Sequence, residues 1–285
     1  RVVQNIGRGA ASARNLGASL AKSPLLLFLD DDMLLSDGGL RRHLQIHAEF
    51  PGIALSGIWQ YNPEVELMLG TSCFGRYKLK NDYRTMIPEE FFQGSPILRR
   101  AEHLASFNLS LSRHLFERIG GFDGHFKFAG CEDQEFSLRL AQSGVILLVA
   151  TDLVALHNEK DRALLENWLL RQYRGVQGVP LLARKHPGWH GMGLYTENSP
   201  ISPGDGPMLA LRKTVKTLFY NRFWKALLLF AYWKLERISA LERVNHYIIR
   251  RLDGIQIFLG FREGLKSLSR ETTPETTAPR PESGS

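Results

Sequence analysis

Apolar and polar positions change period several times within the first 160 residues, and each change marks an element. Ala13, Leu16 and Leu20 fall at helical spacing within 9–22, a stretch whose many Ala and Ser residues would let a helix lie close to a sheet. The run Leu25-Leu26-Leu27-Phe28-Leu29 follows Pro24 without alternation, which predicts a strand covered on both faces, as in a parallel sheet. Ser36 or Asp37 can cap a helix over 38–49, Pro51-Gly52 ends it, and 53–59 is the next strand. Residues 60–100 keep no clear period and read as an irregular insertion lining a site. Beyond them the pattern predicts a strand at 104–111, a short helix at 114–119, a helix at 132–143 stopped by Gly144, and strands at 145–149 and 153–156. Alternation of this kind predicts an α/β domain with a mainly parallel sheet flanked by helices, occupying 1–187.

The character then becomes helical. Residues 188–207 are dense in Gly, Pro and Ser and read as a linker. A basic amphipathic helical extension is expected over 208–270, where Leu211, Val215, Phe219, Phe223, Leu227 and Phe230 follow helical spacing. Within 211–266, twelve Lys and Arg stand against four Asp and Glu, a surplus of +8 that exceeds the +7 of the whole chain. Such a surplus favours anionic partners. Trp224, Phe230, Tyr232 and Trp233 beside lysines suit a head-group boundary, so peripheral contact with an anionic membrane is expected; the apolar run 226–233 is far too short to span one. Helices that merely pack on the catalytic part with a solvated basic face would show the same pattern. The tail 271–285, full of Thr, Pro, Glu and Ser, cannot bury enough surface to order itself. Two cysteines, Cys73 and Cys131, are too few for a disulfide framework, which makes a reducing cytoplasm the default, at most on the inner face of a membrane. Arg1 is no initiator and the chain opens in what reads as strand, so a fragment lacking its N-terminal strands is expected.

Three groups of residues can carry chemistry. Asp30-Asp31-Asp32 end the first apolar run, where an α/β sheet binds ligands; side by side they repel unless a cation joins them, and oxygen-only ligation suits Mg²⁺ or Mn²⁺. A plain acidic turn would also explain three aspartates in isolation. Glu132-Asp133-Gln134-Glu135 open a helix after a glycine-bearing loop; the helix dipole alone accounts for acids there, but a carboxylate so placed can also face a pocket and take a proton. Glu135 can pair with Arg139 one turn on, a plain surface interaction. His157 ends a strand and could join the aspartates on a divalent ion, although a single histidine is more often a core residue. Arg14 and Asn15 lie mid-helix and, beside a metal, could hold a nucleotide diphosphate.

The ordered series Gly9-Ala10-Ala11-Ser12-Ala13-Arg14-Asn15-Leu16-Gly17, Phe28-Leu29-Asp30-Asp31-Asp32, Asn108-Leu109-Ser110, Gly120-Gly121-Phe122-Asp123 and Glu132-Asp133-Gln134-Glu135, with Arg139, Gly144 and then His157, resembles the inverting family 2 glycosyltransferases of the GT-A fold over about residues 1–160. The resemblance implies that Asp30 contacts the ribose or donor sugar, with Asp31 assisting, and that Asp32 ligates Mn²⁺ or Mg²⁺ with His157 as a further ligand. It implies Asp133 as catalytic base, Glu132 and Asn108 in support, and Arg14 and Asn15 against the nucleotide. The implied activity is transfer of a sugar from a nucleoside-diphosphate donor to a glycan or lipid-linked acceptor in cell-surface synthesis. A sugar-phosphate nucleotidylyltransferase shares metal-binding aspartates on a related sheet, but the Glu-Asp helix and the Gly-Gly-Phe-Asp loop argue against it. A non-catalytic nucleic-acid binder would explain the basic helices, yet no recognised nucleic-acid module is present and two acidic clusters oppose a phosphate backbone.

Overall fold

In chain order the strands are β1 (Leu25–Leu29), β2 (Met33–Leu35), β3 (Ala54–Tyr61), β4 (Leu98–Arg100), β5 (Asn108–Ser112) and β6 (Leu147–His157). They form one sheet ordered β1-β5-β3-β6-β2, with β4 also pairing β6. The computed structural model describes residues 2–81, 97–158, 163–189 and 191–272. The α/β class follows the expectation, but the sheet is mixed rather than mainly parallel. Among the described residues only β3 and β6 run parallel; β1–β5, β3–β5, β2–β6 and β4–β6 are antiparallel.

Local chemistry explains the departures from the expected elements. β1 is not covered on both faces: its burial alternates and it borders the sheet, paired with β5. Residues 2–6 are not in the sheet. The strand expected at 104–111 begins only at Asn108, because the backbone before it serves the helix opposite: Leu104 N–H donates to Ser137 Oγ and Ser106 N–H to Asp133 Oδ2. The two strands expected at 145–156 are one bent strand, β6, whose register against β3 shifts between Ser56 and Ile58. Gly57 sits at that shift, where a Cβ would lie 2.2 Å from Leu153 O. The 60–100 segment is not irregular at its start: α3 (Pro63–Gly70) opens on a proline with Asn62 Oδ1 accepting from Glu64 N–H, and α4 (Cys73–Asn81) follows.

Helices cover both faces of the sheet. In chain order these are α1 (Gly9–Leu20), α2 (Gly39–Glu49), α5 (Arg113–Ile119) and α6 (Glu132–Gln142). On one face Phe28, Phe116, Phe122 and Phe136 interlock around Leu109 and Leu140. On the other, Ile46 of α2 packs with Leu55, Leu148 and Leu153.

The remaining helices are α7 (Leu165–Gly175), α8 (Val179–Lys185), α9 (Met192–Asn198), α10 (Pro207–Phe219), α11 (Arg222–Leu235) and the 31-residue α12 (Glu242–Thr272). α9 lies inside the 188–207 stretch expected as a linker, and the Lys213 ammonium, itself buried, ties that stretch down through Asp205 at 2.7 Å and Ser199 Oγ at 3.1 Å. α12 runs along α7 and α8: its Ile248, Ile249 and Leu252 join Phe74, Leu165, Leu169 and Tyr232, and its Phe261 joins Val176 and Leu182. Thr272 is still helical; the rest of the expected tail lies outside the described residues. No helix among the described residues is long and apolar enough to cross a membrane.

Candidate active site

At the edge of the sheet where β1, β3 and β6 end, a cavity of about 290 Å³ is lined by Asp30, Asp133 and His157 among others. Each arrives on a different element: Asp30 just after β1, His157 as the last residue of β6, and Asp133 in the first turn of α6. Topology, not sequence proximity, brings them together. Asp32 stands behind His157, its Oδ2 at 3.2 Å from the imidazole Nε2. That bond, working against burial, holds the Asp32 carboxyl below the usual carboxylate range. The imidazole is buried and set by Trp59 edge-on at 5.3 Å and Tyr61 stacked at 6.2 Å.

Arg14 is the hub of the acidic half. Its guanidinium donates to Asp30 Oδ1 at 2.9 Å and to Glu132 Oε1 at 3.0 Å, and lies 3.6 Å from Asp133 Oδ1. Burial works against its charge, yet Asp133, Asp30 and Glu132 outweigh that and raise its pKa. A planar, permanently charged fork is the side chain that can serve three carboxylates at once. Glu132 is only 2% exposed, and its other oxygen accepts from Gly130 N–H at 2.7 Å. Asp133 Oδ2 accepts from Ser106 N–H at 3.1 Å. Burial, and then the charge of Glu132, push the Asp133 carboxyl up to about 6 despite Arg14 and Ser106. A carboxyl tuned there can hold or release a proton near neutrality.

Three expected site residues lie elsewhere or act differently. Asn15 spends its carboxamide on the loop before α6, donating to Phe122 O at 2.7 Å and accepting from Phe122 N–H at 2.8 Å. Asn108 is fully buried and is not among the cavity's lining residues; its Oδ1 faces His43 Nε2 at 2.9 Å and its Nδ2 donates to Leu153 O, tying β5 to α2 and β6. Asp31 borders a separate groove between α1 and β1. The Glu135–Arg139 pair is no surface decoration: Glu135 is buried, and Arg139 grips it twice at 2.7 Å while donating to Ile119 O and Gly121 O.

Sequence reasoning missed most of the opposite wall. Trp59, Tyr61 and Lys78 come from β3 and α4, and Trp168, Arg171 and Gln172 from α7. The signal was present: positions 168, 171 and 172 share one face of a helix. A second recess of about 510 Å³ lies beyond Asp133 and Asp30, bounded by Gly130, Gln134, Gln172 and Trp189, so the two acids stand between two spaces.

The donor set fits a divalent ion only in part. One carboxylate and one imidazole are good ligands for Mn²⁺ or Mg²⁺, but among the described residues no three His, Cys, Asp or Glu converge as a metal cage. Two protein ligands suit an ion that completes its shell with water and substrate phosphate.

Comparison with known proteins finds similarity to sugar-transferring enzymes. A sequence model described as glycosyl transferase family 2 matches residues 1–117, and one described as the N-terminal domain of galactosyltransferase matches residues 95–151. Validoxylamine A glucosyltransferase from Streptomyces hygroscopicus subsp. jinggangensis is 30% identical over 208 residues, covering 65% of this chain and 46% of that protein. The protein of the same name from the subspecies limoneus matches equally, with 43% of its length covered. This chain therefore spans somewhat under half the length of the curated relatives it matches. Among solved structures, a mannosyltransferase from Pyrobaculum calidifontis in complex with GDP-Man and Mn²⁺ aligns over 90% of this chain and 68% of that one, at 14% identity and a TM-score of 0.46. GalNAc-T7 with UDP, GalNAc and Mn²⁺ aligns over 74% and 41%, at 14% identity and 0.43, and neither likeness is close enough to transfer detail. The family 2 model covers 117 of the chain's 285 residues, and over that part the chain is similar to the family 2 glycosyltransferases.

Proposed function

We propose that this chain moves a sugar from a nucleoside-diphosphate donor to an acceptor hydroxyl with inversion of the anomeric centre. The observation that carries the reading is Asp133, a carboxyl raised to about 6 and fixed on the rim of the cavity that Asp30 and His157 also line. The acceptor oxygen bonds to the anomeric carbon as the bond from that carbon to the diphosphate oxygen breaks. The acceptor proton passes to Asp133, and the electron pair leaves with the nucleoside diphosphate. A single base opposite the leaving group suffices, so no enzyme nucleophile is required. Asp30 accepts from a donor hydroxyl while Arg14, at 2.9 Å, orients its carboxylate. Asp32 and His157 would hold Mn²⁺ or Mg²⁺, which when bound supplies positive charge against the departing diphosphate. Arg14 orients the acids more than it reads the nucleotide, since Asp30 and Glu132 already occupy it. A glycan or lipid-linked acceptor, and peripheral contact of the basic helices with an anionic membrane, complete the reading.

The test is release of nucleoside diphosphate from a panel of sugar nucleotides with Mn²⁺ and candidate acceptors. Asp133→Asn should lower transfer by about 10²–10⁴-fold while calorimetry still shows donor binding. Asp32→Ala should lose the Mn²⁺-dependent part of that binding. Undiminished turnover in Asp133→Asn would remove the base from the mechanism, and release of pyrophosphate from a nucleoside triphosphate would replace the reading with nucleotidyl transfer.

A further inference from the structure

The C-terminal helices enclose a second cavity, of about 780 Å³, that takes no part in the chemistry above. Its walls come from α7, α11 and α12. Four cations converge on it, Arg222 and Lys225 from α11 and Arg262 and Lys266 from α12, with Glu263 as the one carboxylate in the lining. Lys266 reaches Glu263 only at 3.9 Å, and Arg262 stacks over Phe258 at 5.2 Å. Burial, and after it the charge of Arg222, lower the Lys225 pKa. Apart from Tyr173 and Gln256 the rest of the lining is apolar: Leu170 of α7, Ala226 and Leu229 of α11, and Leu259 of α12.

The rim continues the same character. On α11 the cavity takes positions 222, 225, 226 and 229, one helical stripe, and the next stripe round carries Phe223 and Phe230, 70% and 62% exposed. Large aromatic rings left in water beside a cationic, apolar-floored hollow match a bilayer interface in both charge and depth: phosphate at the level of the cations, acyl carbon at the level of the rings. A free inorganic anion would have no use for the apolar floor, and an acidic peptide none for the exposed rings.

We infer that the cavity between α7, α11 and α12 is a head-group site for an anionic phospholipid, with Phe223 and Phe230 seated in the surrounding bilayer. The inference rests on the peripheral-contact reading above and gives it a defined site. It also places that site on the far side of α7 from the candidate active site: Trp168, Arg171 and Gln172 face one cavity, Leu170 and Tyr173 the other. One helix separates a bound lipid from the catalytic cleft.

The experiment uses the full chain and two probes, vesicles of phosphatidylglycerol mixed with phosphatidylcholine and monomeric short-chain phosphatidylglycerol. Lys225→Glu with Arg262→Glu should weaken short-chain lipid binding at least tenfold without changing the melting temperature. The milder Lys225→Gln should weaken it several-fold should the double variant misfold. Phosphatidylcholine and inorganic phosphate should each bind at least tenfold more weakly than phosphatidylglycerol. Equal binding of the short-chain lipid by wild type and variants overturns the site, even if vesicles still sediment the protein, in which case peripheral contact survives without it. Inorganic phosphate or polyglutamate binding as tightly as the lipid also overturns it. Lipid binding that the variants abolish, in a chain that ignores vesicles, overturns the seating of Phe223 and Phe230 in a bilayer and the peripheral-contact reading with it, leaving only a soluble lipid pocket.

Discussion

The two cavities share α7 as a wall and are built on opposite rules. In the first, charges are held in fixed partnerships: Arg14 with Asp30 and Glu132, Asp32 with His157, Asp133 with the Ser106 backbone. In the second, four cations on long side chains of α11 and α12 crowd around one carboxylate. A site that must meet developing charge at one atom needs groups already oriented, because reorganisation at the moment of reaction costs rate. A site that only gathers anions tolerates, and profits from, adaptable cations. The difference teaches where a substitution should be all-or-none and where it should be graded.

The most drastic break of that contrast is Arg14→Ala. It leaves Glu132, buried to 2% exposure, beside Asp133 and Asp30 without the guanidinium that bridges all three. Removing one partner from a buried charge cluster costs about 3–5 kcal/mol, and the partial exposure of Asp30 and Asp133 argues for the lower end. Urea unfolding at pH 7.5 should show a loss of about 3 kcal/mol that shrinks towards pH 4, as protonation relieves the repulsion. A loss under about 1 kcal/mol at pH 7.5 would mean that the hub is not structural. The equivalent removal in the second cavity, Arg222→Ala at an exposed position, should stay within about 0.5 kcal/mol.

Asp133 sharpens the contrast through pH. Its carboxyl rises from an ordinary 3.8 to about 6 on folding, so the folded state binds this proton more tightly than the unfolded chain does. The sign follows: wild type loses stability as pH climbs from about 4 through 6, and the deficit is constant above. At 1.36 kcal/mol per pH unit the full effect is at most about 3 kcal/mol. Asp133→Asn carries no such charge, so its melting temperature relative to wild type should rise between pH 4 and pH 7.5 even as turnover disappears. If Asp133 is the base of the proposed transfer, the same ionisation should give wild-type turnover an acid limb near pH 6. A difference in melting temperature that does not change with pH would mean Asp133 keeps an ordinary carboxyl.

What the sequence made legible divides along physical lines. Asp30 and Asp32 could be read because an apolar run ending in acids has few structural uses, and Asp133 because a helix start after a glycine-bearing loop is a natural place for a functional acid. Their meeting could not be derived from spacing alone, since it depends on β3, β5 and β6 lying side by side across long crossovers. Strand direction was equally hidden: five apolar residues look the same whether their neighbour runs parallel or, like β5, antiparallel. Asn15 and Asn108 misled because a motif marks a position and not its use; both carboxamides turn out to bond backbone carbonyls, at Phe122 and Leu153. Arg14 sat in the right place with a different task. The apolar side chains of α12 that meet α7 carry a pattern but not a partner, and its closest backbone approaches are made at the glycines Gly260 and Gly264, which carry no pattern.

Those glycines offer the smallest and cleanest test of how the two halves are joined. A Cβ on Gly260 would lie 2.1 Å from Tyr173 O, and one on Gly264 2.3 Å from Gln177 O. In an isolated helix, Gly→Ala would gain about 1 kcal/mol. Here the intruding methyl meets backbone, which cannot rotate away, and such overpacking costs about 1–3 kcal/mol. Gly260→Ala should therefore destabilise, against its helix propensity, by about 1 kcal/mol net, whereas Gly193→Ala in α9, with nothing within 4 Å, should stabilise by about 0.4–1 kcal/mol. Because Tyr173 borders the second cavity while Arg171 and Gln172 border the first, a shift of α12 against α7 moves both walls at once. Gly260→Ala should thus lower transfer and lipid binding together by a few-fold, in a chain that still folds. A variant that lowers one and spares the other would show that α7 is not the common wall, and the two cavities would then be independent parts of the molecule.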